Sequence, residues 1–238
     1  MKYLDLTLPS AAGNLALDEA LLLEAEAGKQ DEILRLWEWP KPAVILGAGC
    51  RLAEDVDEKA CEADHVPILR RSSGGGTVLL STGCLCFTLV LSYNRDPASQ
   101  EIRSSIRYIL GRIREQLLSI DSRIELAGIS DLAIDGRKFS GNSQQRKRYY
   151  FLHHGTILYS MNLDLIGRYL RMPARQPEYR EQRAHERFLM NLPNDVEGLK
   201  SQILTAWMAD MMESQWPREM VQELMETKYN REQWIRRR

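Results

Sequence analysis

Between Val66-Pro67-Ile68-Leu69, a short strand pattern, and an apolar stretch from Val78 to Tyr93, the chain reads Arg70-Arg71-Ser72-Ser73-Gly74-Gly75-Gly76-Thr77. Three consecutive glycines between apolar segments place bare backbone where side chains would obstruct something. Glycine enters positive φ without a Cβ clash, and the amides exposed by such a bend converge on an anion. Paired arginines before it and serine hydroxyls within it suit a phosphate or a carboxylate. A flexible Gly-Ser linker is the bland alternative, but this run is short and sits inside a strand pattern. No Gly-Lys-Ser/Thr follows, so it is not a P-loop; a strand rather than a helix follows, so it is not a dinucleotide fingerprint. Alone, the run points to an anion or a nucleotide phosphate and no further.

The 238 residues are enough for one large domain or two small ones, and no composition break marks a boundary, so a single unit over 1–238 is expected. A net charge of −1 argues against a dedicated nucleic-acid binder. The longest apolar run, Cys84 to Leu91, is too short to span a bilayer, and Met1-Lys2 leads straight into a strand pattern with no signal-peptide layout. Cysteines at 50, 61, 84 and 86 have neither zinc-site nor disulfide-framework spacing, which fits a reduced cytoplasmic protein.

Outward from the glycine run, Lys2 to Leu8 alternates as a strand. Ser10 to Asn14 opens a helix with Leu17, Leu21 and Ala25 on one stripe, ended by Gly28. Strands are expected at 32–39 and 43–46, and a helical connection at 53–65. A long helix is expected from Glu101 to Ile120, with Ile102, Ile106, Ile109, Leu110, Ile113 and Leu117 as its packing face. Asp135-Gly136 between alternating segments is a hairpin signal. Ser140 to Gln145 reads as a polar loop, Tyr149 to Tyr159 as a strand, Leu163 to Arg171 as a short helix and Pro173 to Arg187 as a surface loop; 196–212 and 217–229 read as amphipathic helices. Early strands, a long helix, more strands and terminal helices predict an α+β fold with a mixed, mostly antiparallel sheet flanked by helices.

Lys138 follows the Asp-Gly turn, where it is either a solvated hairpin lysine or an ammonium facing an anion held by the glycine run. Asp131 opens the same hairpin and caps the strand, holds a metal-bound water or orients Lys138. His153 and His154 are adjacent, so a strand sends them to opposite faces. No histidine or cysteine spacing makes a metal site, and no Gly-x-Ser-x-Gly nucleophile elbow is present.

Four stretches together resemble the lipoate–protein ligase A family, within the wider group of biotin and lipoate ligases and octanoyltransferases. They are Asn14-Leu15-Ala16-Leu17-Asp18-Glu19, the run 70–77, Ser130-Asp131 through Lys138 to Ser143, and His153-His154-Gly155-Thr156-Ile157-Leu158. The resemblance covers nearly the whole chain. It implies the class II biotin/lipoate ligase fold and a two-step reaction. ATP and lipoate (or octanoate) give an acyl-adenylate, and a lysine of a lipoyl-domain acceptor protein takes the acyl group. It further implies catalytic roles for Lys138 and Asp131. Arg71, Ser73, Gly74, Gly75, Gly76, Thr77, Val78 and Leu79 would wrap the acyl-adenylate, with Gly141, Asn142, His154 and Gly155 opposite. Mg²⁺ is expected with ATP, held by phosphates and water rather than by a protein cage.

The sequence departs from the family where a His-Asp pair and an Asn are usual; Leu80, Ser81 and Cys84 stand there. Gly47-Ala48-Gly49-Cys50 replaces an Arg-Asn-Gln type loop. Longer ligases carry a C-terminal accessory domain with no counterpart here, and short relatives act with a separate accessory protein or without one. The rival reading is an octanoyltransferase, which moves an acyl chain from acyl carrier protein through a cysteine thioester. The positions where such enzymes place the nucleophile fall near Gly128 and Ala174, neither of them cysteine, and Cys84 is then the thiol expected close to the glycine run. A family member that binds lipoyl-adenylate without turnover is a third reading.

Overall fold

The computed structural model of the chain describes residues 1–237. Its strands are β1 (Lys2–Asp5), β2 (Ile33–Glu38), β3 (Ala43–Leu46), β4 (Ile68–Arg70), β5 (Val78–Leu80), β6 (Cys84–Ser92), β7 (Glu125–Ala127), β8 (Asp131–Ile134), β9 (Arg137–Arg146), β10 (Tyr150–Leu158) and β11 (Met211–Met212). The helices are α1 (Ala11–Glu26), α2 (Leu52–Asp55), α3 (Glu58–Ala63), α4 (Ile102–Leu117), α5 (Asp164–Tyr169), α6 (His185–Phe188), α7 (Val196–Trp207), α8 (Arg218–Leu224) and α9 (Glu232–Ile235). An 8-stranded sheet runs in the order β11-β1-β2-β6-β10-β9-β8-β7, and β4-β3-β5 form a second, 3-stranded sheet. From β2 through β7 each neighbouring pair in the large sheet is antiparallel, while β1 runs parallel to β2 and β11, and β3 parallel to β4. This is the expected mixed, mostly antiparallel α+β architecture.

The run of β6, apolar but for Thr88 until Ser92, follows from its central place. Successive side chains alternate faces, so Leu85, Phe87, Leu89 and Leu91 enter the core beneath α4 and α7, while Cys84, Cys86 and Val90 enter the core around α1 and the small sheet. Fully burying each such aliphatic side chain is worth about 1.5–3 kcal/mol. The N-cap Ser10 accepts the Gly13 amide at 3.0 Å and starts α1. This helix is buried on nearly every side rather than on one stripe, because the large sheet lies on one flank and α8 on the other.

Several elements differ from the sequence expectation. Ile102 is 56% exposed, so the packing face of α4 begins at Ile106 and the first turn overhangs the core. Residues 140–145 are not a loop but part of β9, paired with β10 throughout and, at Ser140 and Gly141, with β8 as well. Their polarity misled the pattern because tertiary hydrogen bonds, not water, satisfy it. The 173–187 segment holds a 3₁₀ turn at Glu178–Arg180 and leads into α6, and Arg180 and His185 are buried. Helix α7 stops at Trp207, where Met208 turns left-handed (φ 48), and Met211–Met212 joins the sheet as β11. Helix α8 passes into a π-helical turn, Met225–Tyr229. No helix among the described residues is long and apolar enough to cross a membrane.

Candidate active site

β4 leads into adjacent arginines, which an extended chain turns to opposite sides. Arg71 enters the glycine bend and organises it. Its Nε donates to Ser73 Oγ (2.9 Å), Nη1 to the Ile45 carbonyl (3.3 Å), and Nη2 to the carbonyls of Gly74 (2.5 Å) and Gly76 (2.8 Å). In a trans peptide the carbonyl and the following N–H point in opposite directions, so the amides of Gly75 and Thr77 face away from the guanidinium. Among the described residues the Gly75 and Gly76 amides donate to no backbone acceptor. Gly75 has φ +80, and a Cβ there would meet Arg71 Nη2 at 3.0 Å. Burial pushes Arg71 down to about 10, still a cation at neutral pH. The family expectation set Arg71 against the ligand; here it lines the cleft while its donors hold the bend.

Behind the bend, Ser73 Oγ lies 2.6 Å from His154 Nε2, and His154 Nδ1 lies 3.4 Å from Asp18 Oδ2. Asp18 Oδ1 accepts Arg35 Nη1 at 2.6 Å. Burial alone would push the Asp18 carboxyl up, but the Arg35 guanidinium and His154 outweigh it and hold Asp18 below the usual range. Neighbouring His153 faces the opposite side, as alternation requires, between Gln144 (3.2 Å) and Asn142 (3.3 Å). Burial pushes it down to about 3, so it is neutral. Asn142 in turn donates to the Ser130 carbonyl (2.9 Å), next to Asp131.

The facing wall is the β8–β9 hairpin and β10. Asp135 (φ 50) and Gly136 (φ 70) both take positive φ, as a two-residue type I′ turn requires. An irregularity between Leu132 and Ala133 offsets the ladder beside Lys138. Lys138 Nζ sits 2.8 Å from Asp131 Oδ1, with its side chain 27% exposed. A Cβ on Gly141 would come within 2.6 Å of that ammonium, and one on Gly155 within 1.9 Å of Asn142 Oδ1, so both glycines keep the wall clear. From the 173–187 segment, the Tyr179 hydroxyl donates to Asp131 Oδ2 at 2.7 Å. Burial and the Asp131 charge push Tyr179 up, which keeps it a neutral donor.

The two walls enclose a cleft of about 190 Å³. Arg71, Gly75, Gly76, Thr77 and Val78 line it on one side. Asp131, Lys138, Gly141, Asn142, His154 and Gly155 line it on the other. Ser73 and Gly74 do not line it, and Leu79 points into the core, because β5 alternates and presents Val78 and Leu80 instead. Leu80 therefore makes apolar a position that is histidine in the best-known ligases. Cys84 does not meet the glycine run; it is buried on β6 opposite Leu158. Cys50 donates its thiol to the Gly75 carbonyl (3.3 Å), and Cys86 lines the cleft. Burial, with Asp55 adding to it, pushes the Cys50 thiol up, and burial raises Cys86 far more. Sequence reasoning quoted Asp18 without assigning it a place and gave Tyr179 none. Asp18 was findable as the acid of the first-helix motif; nothing local marked Tyr179.

Residues 10–212 match the family described as the lipoyl protein ligase A/B catalytic domain. Octanoyltransferase LipM of Oceanobacillus iheyensis is 32% identical over 202 residues, covering 78% of this chain and 74% of that protein. Among solved structures, a chain from the archaeal lipoylation system of Thermoplasma acidophilum (a bi-partite lipoate protein ligase and its E2 lipoyl domain) has a TM-score of 0.83 at 20% identity, covering 99% of this chain and 95% of that one. A lipoate-protein ligase A bound with ATP has a TM-score of 0.83 at 21% identity, covering 99% and 98%. The backbone thus has the lipoate–protein ligase fold, and the chain belongs to the lipoyl protein ligase A/B catalytic domain family.

Proposed function

We propose that this chain is an ATP-dependent lipoate–protein ligase, acting as one catalytic unit in the cytoplasm and taking lipoate or octanoate as its acyl substrate. The observation that carries the reading is one shared cleft: the Lys138 ammonium, held 2.8 Å from Asp131, opposes the glycine bend, whose Gly75 and Gly76 amides donate to no backbone acceptor among the described residues. A carboxylate approaching a triphosphate is opposed by like charge. A fixed ammonium and converging amides offset that repulsion, each such donor contributing about 3–4 kcal/mol in the transition state. Leu15, Trp37, Ile45, Val78 and Leu80 give the cleft an apolar wall for the acyl chain.

In the first step a carboxylate oxygen of the acid attacks the α-phosphorus and pyrophosphate leaves. In the second, the acceptor lysine nitrogen attacks the acyl carbon and AMP leaves. Lys138 orients the negative groups in the first step, and Asp131 holds Lys138 until they arrive. No group of three His, Cys, Asp or Glu that could hold a metal ion occurs among the described residues, and both cleft aspartates already pair with cations. Mg²⁺ would come with the nucleotide phosphates, whose charge it would screen.

A second reading, acyl transfer from acyl carrier protein, is favoured by the kinship to a LipM octanoyltransferase. It needs a thiolate nucleophile, and the thiols at the cleft, Cys50 and Cys86, are both shifted toward the protonated form. Mass spectrometry of a lipoyl domain incubated with the protein separates the two. A gain in mass that needs ATP and the free acid supports the ligase. A gain from acylated carrier protein without ATP replaces it with the transferase, and lost turnover with retained lipoyl-adenylate binding indicates a binding protein. Repeating the ligase assay with and without cell extract tests for a separate accessory protein.

A further inference from the structure

The family match ends at residue 212, yet the segment beyond it is laced to the loops that build the cleft. The π-helical turn Met225–Tyr229 brings two consecutive side chains to one carboxylate: Lys228 Nζ and the Tyr229 hydroxyl lie 2.7 and 2.8 Å from Glu19 Oε2 on α1. Such widened turns occur mostly as single insertions and recur at functional sites. Further on, Trp234 Nε1 donates to the Arg70 carbonyl at 2.8 Å, and its ring has Lys228 Nζ 4.2 Å and the Arg237 guanidinium 4.1 Å from the centroid. Arg70, fully buried, donates from Nε to the Ile235 carbonyl (2.9 Å) and from Nη1 to the carbonyls of Gly47 (2.9 Å) and Cys50 (2.8 Å).

These contacts meet where the 47–50 loop presses on the glycine bend. A Cβ on Gly47 would lie 2.0 Å from the Gly75 carbonyl oxygen, and the Ala48 amide donates to the Ser73 carbonyl at 2.8 Å. The paired arginines thus act from two sides, Arg71 holding the bend from inside and Arg70 tying its base to the C-terminal segment. We propose that residues 225–237 form a clamp that positions the glycine bend for the substrate phosphates, with Trp234, acting through Arg70, as its chief positioning residue. This rests on the reading of the bend as the acyl-adenylate loop.

The test uses the full chain with Trp234→Phe, which keeps an aromatic ring and removes one donor, and Lys228→Met, which removes one of the two side chains held by Glu19 and the cation over Trp234 without touching Arg70. Hydrogen exchange by mass spectrometry is compared for 70–77, 46–51 and the central strands β6 and β10, beside steady-state kinetics. In Trp234→Phe, exchange in 70–77 and 46–51 rises about 5-fold or more while β6 and β10 stay as in the wild type. KM for ATP rises about 5- to 10-fold with kcat within about 2-fold. Lys228→Met shifts both readouts in the same direction by less. Exchange that rises equally everywhere, or a bend unchanged in both variants, overturns the clamp. If the wild type shows no ATP-dependent ligation, the ligase reading fails while the exchange comparison still decides the clamp.

Discussion

Two carboxylate–cation pairs stand at the same cleft and differ in nearly every physical respect. At the back, Asp18 and Arg35 meet at 2.6 Å with side chains 4% and 0% exposed, and further donors from Arg35 reach the Leu6 and Asn14 carbonyls. At the mouth, Asp131 and Lys138 meet at 2.8 Å with Lys138 27% exposed. A buried pair whose remaining donors and acceptors are satisfied has nowhere to go; it fixes the register of α1 against β2 and, through His154, the back of the glycine bend. A pair open to the cleft can exchange its partner for a substrate's negative group. Equal chemistry in the sequence is locked in one place and left open to the cleft in the other, and burial decides which.

That contrast breaks most readily by deleting one partner at the back. Arg35→Met leaves the Asp18 charge buried and unpaired, and chemical denaturation is expected to show a loss of about 3–5 kcal/mol. Lys138→Met, at the open mouth, is expected to change stability by about 1 kcal/mol or less. Equal losses from the two substitutions would erase the distinction. Activity separates them in the reverse order. Lys138→Ala is expected to lower adenylate formation, read as ATP–pyrophosphate exchange, by at least about 100-fold, and exchange at a near-normal rate would remove Lys138 from the mechanism.

Tyr179 sharpens the comparison, because its hydroxyl holds the second Asp131 oxygen while Lys138 holds the first. Tyr179→Phe is expected to cut kcat about 10-fold with little change in melting temperature, on the scale of one hydrogen bond to a charged group. A smaller, pH-dependent effect belongs to His153. Its folded value near 3 lies below its unfolded value of 6.5, so between those limits the unfolded chain binds a proton that the native state refuses. Stability therefore falls as pH is lowered through that window, by at most about 1.4 kcal/mol per pH unit. His153→Gln should flatten the slope in acid-range denaturation curves.

The elements that announced themselves were those whose local pattern and tertiary role agree. The α4 stripe from Ile106 onward, the Asp135-Gly136 turn and the alternation of β10 are local, and the fold respects them. Ser140 to Gln145 did not, because a strand whose polar side chains are satisfied by Ser105, Ser130 and Gly74 looks like a solvated loop when only the sequence is in view. Leu79 was placed at the ligand by resemblance, and a one-residue alternation along β5 turned it into the core. Cys84 was placed beside the bend by its nearness in sequence, whereas the sheet register carried it to Leu158 and left Cys50, from a separate loop, against Gly75.

By itself the sequence determined that a glycine bend led by paired arginines interrupts the strand pattern, that a hairpin lysine follows an Asp-Gly turn, and that alternating and helical apolar spacings build an α+β core. Backbone conformation and periodicity are local properties, carried by each stretch wherever it lies. Only the tertiary structure decided that the lysine and the bend share a cleft, that Tyr179 reaches Asp131 from 48 residues away, and that residues past 212 grip Arg70. Those contacts depend on where distant backbones cross and on what is shut off from water.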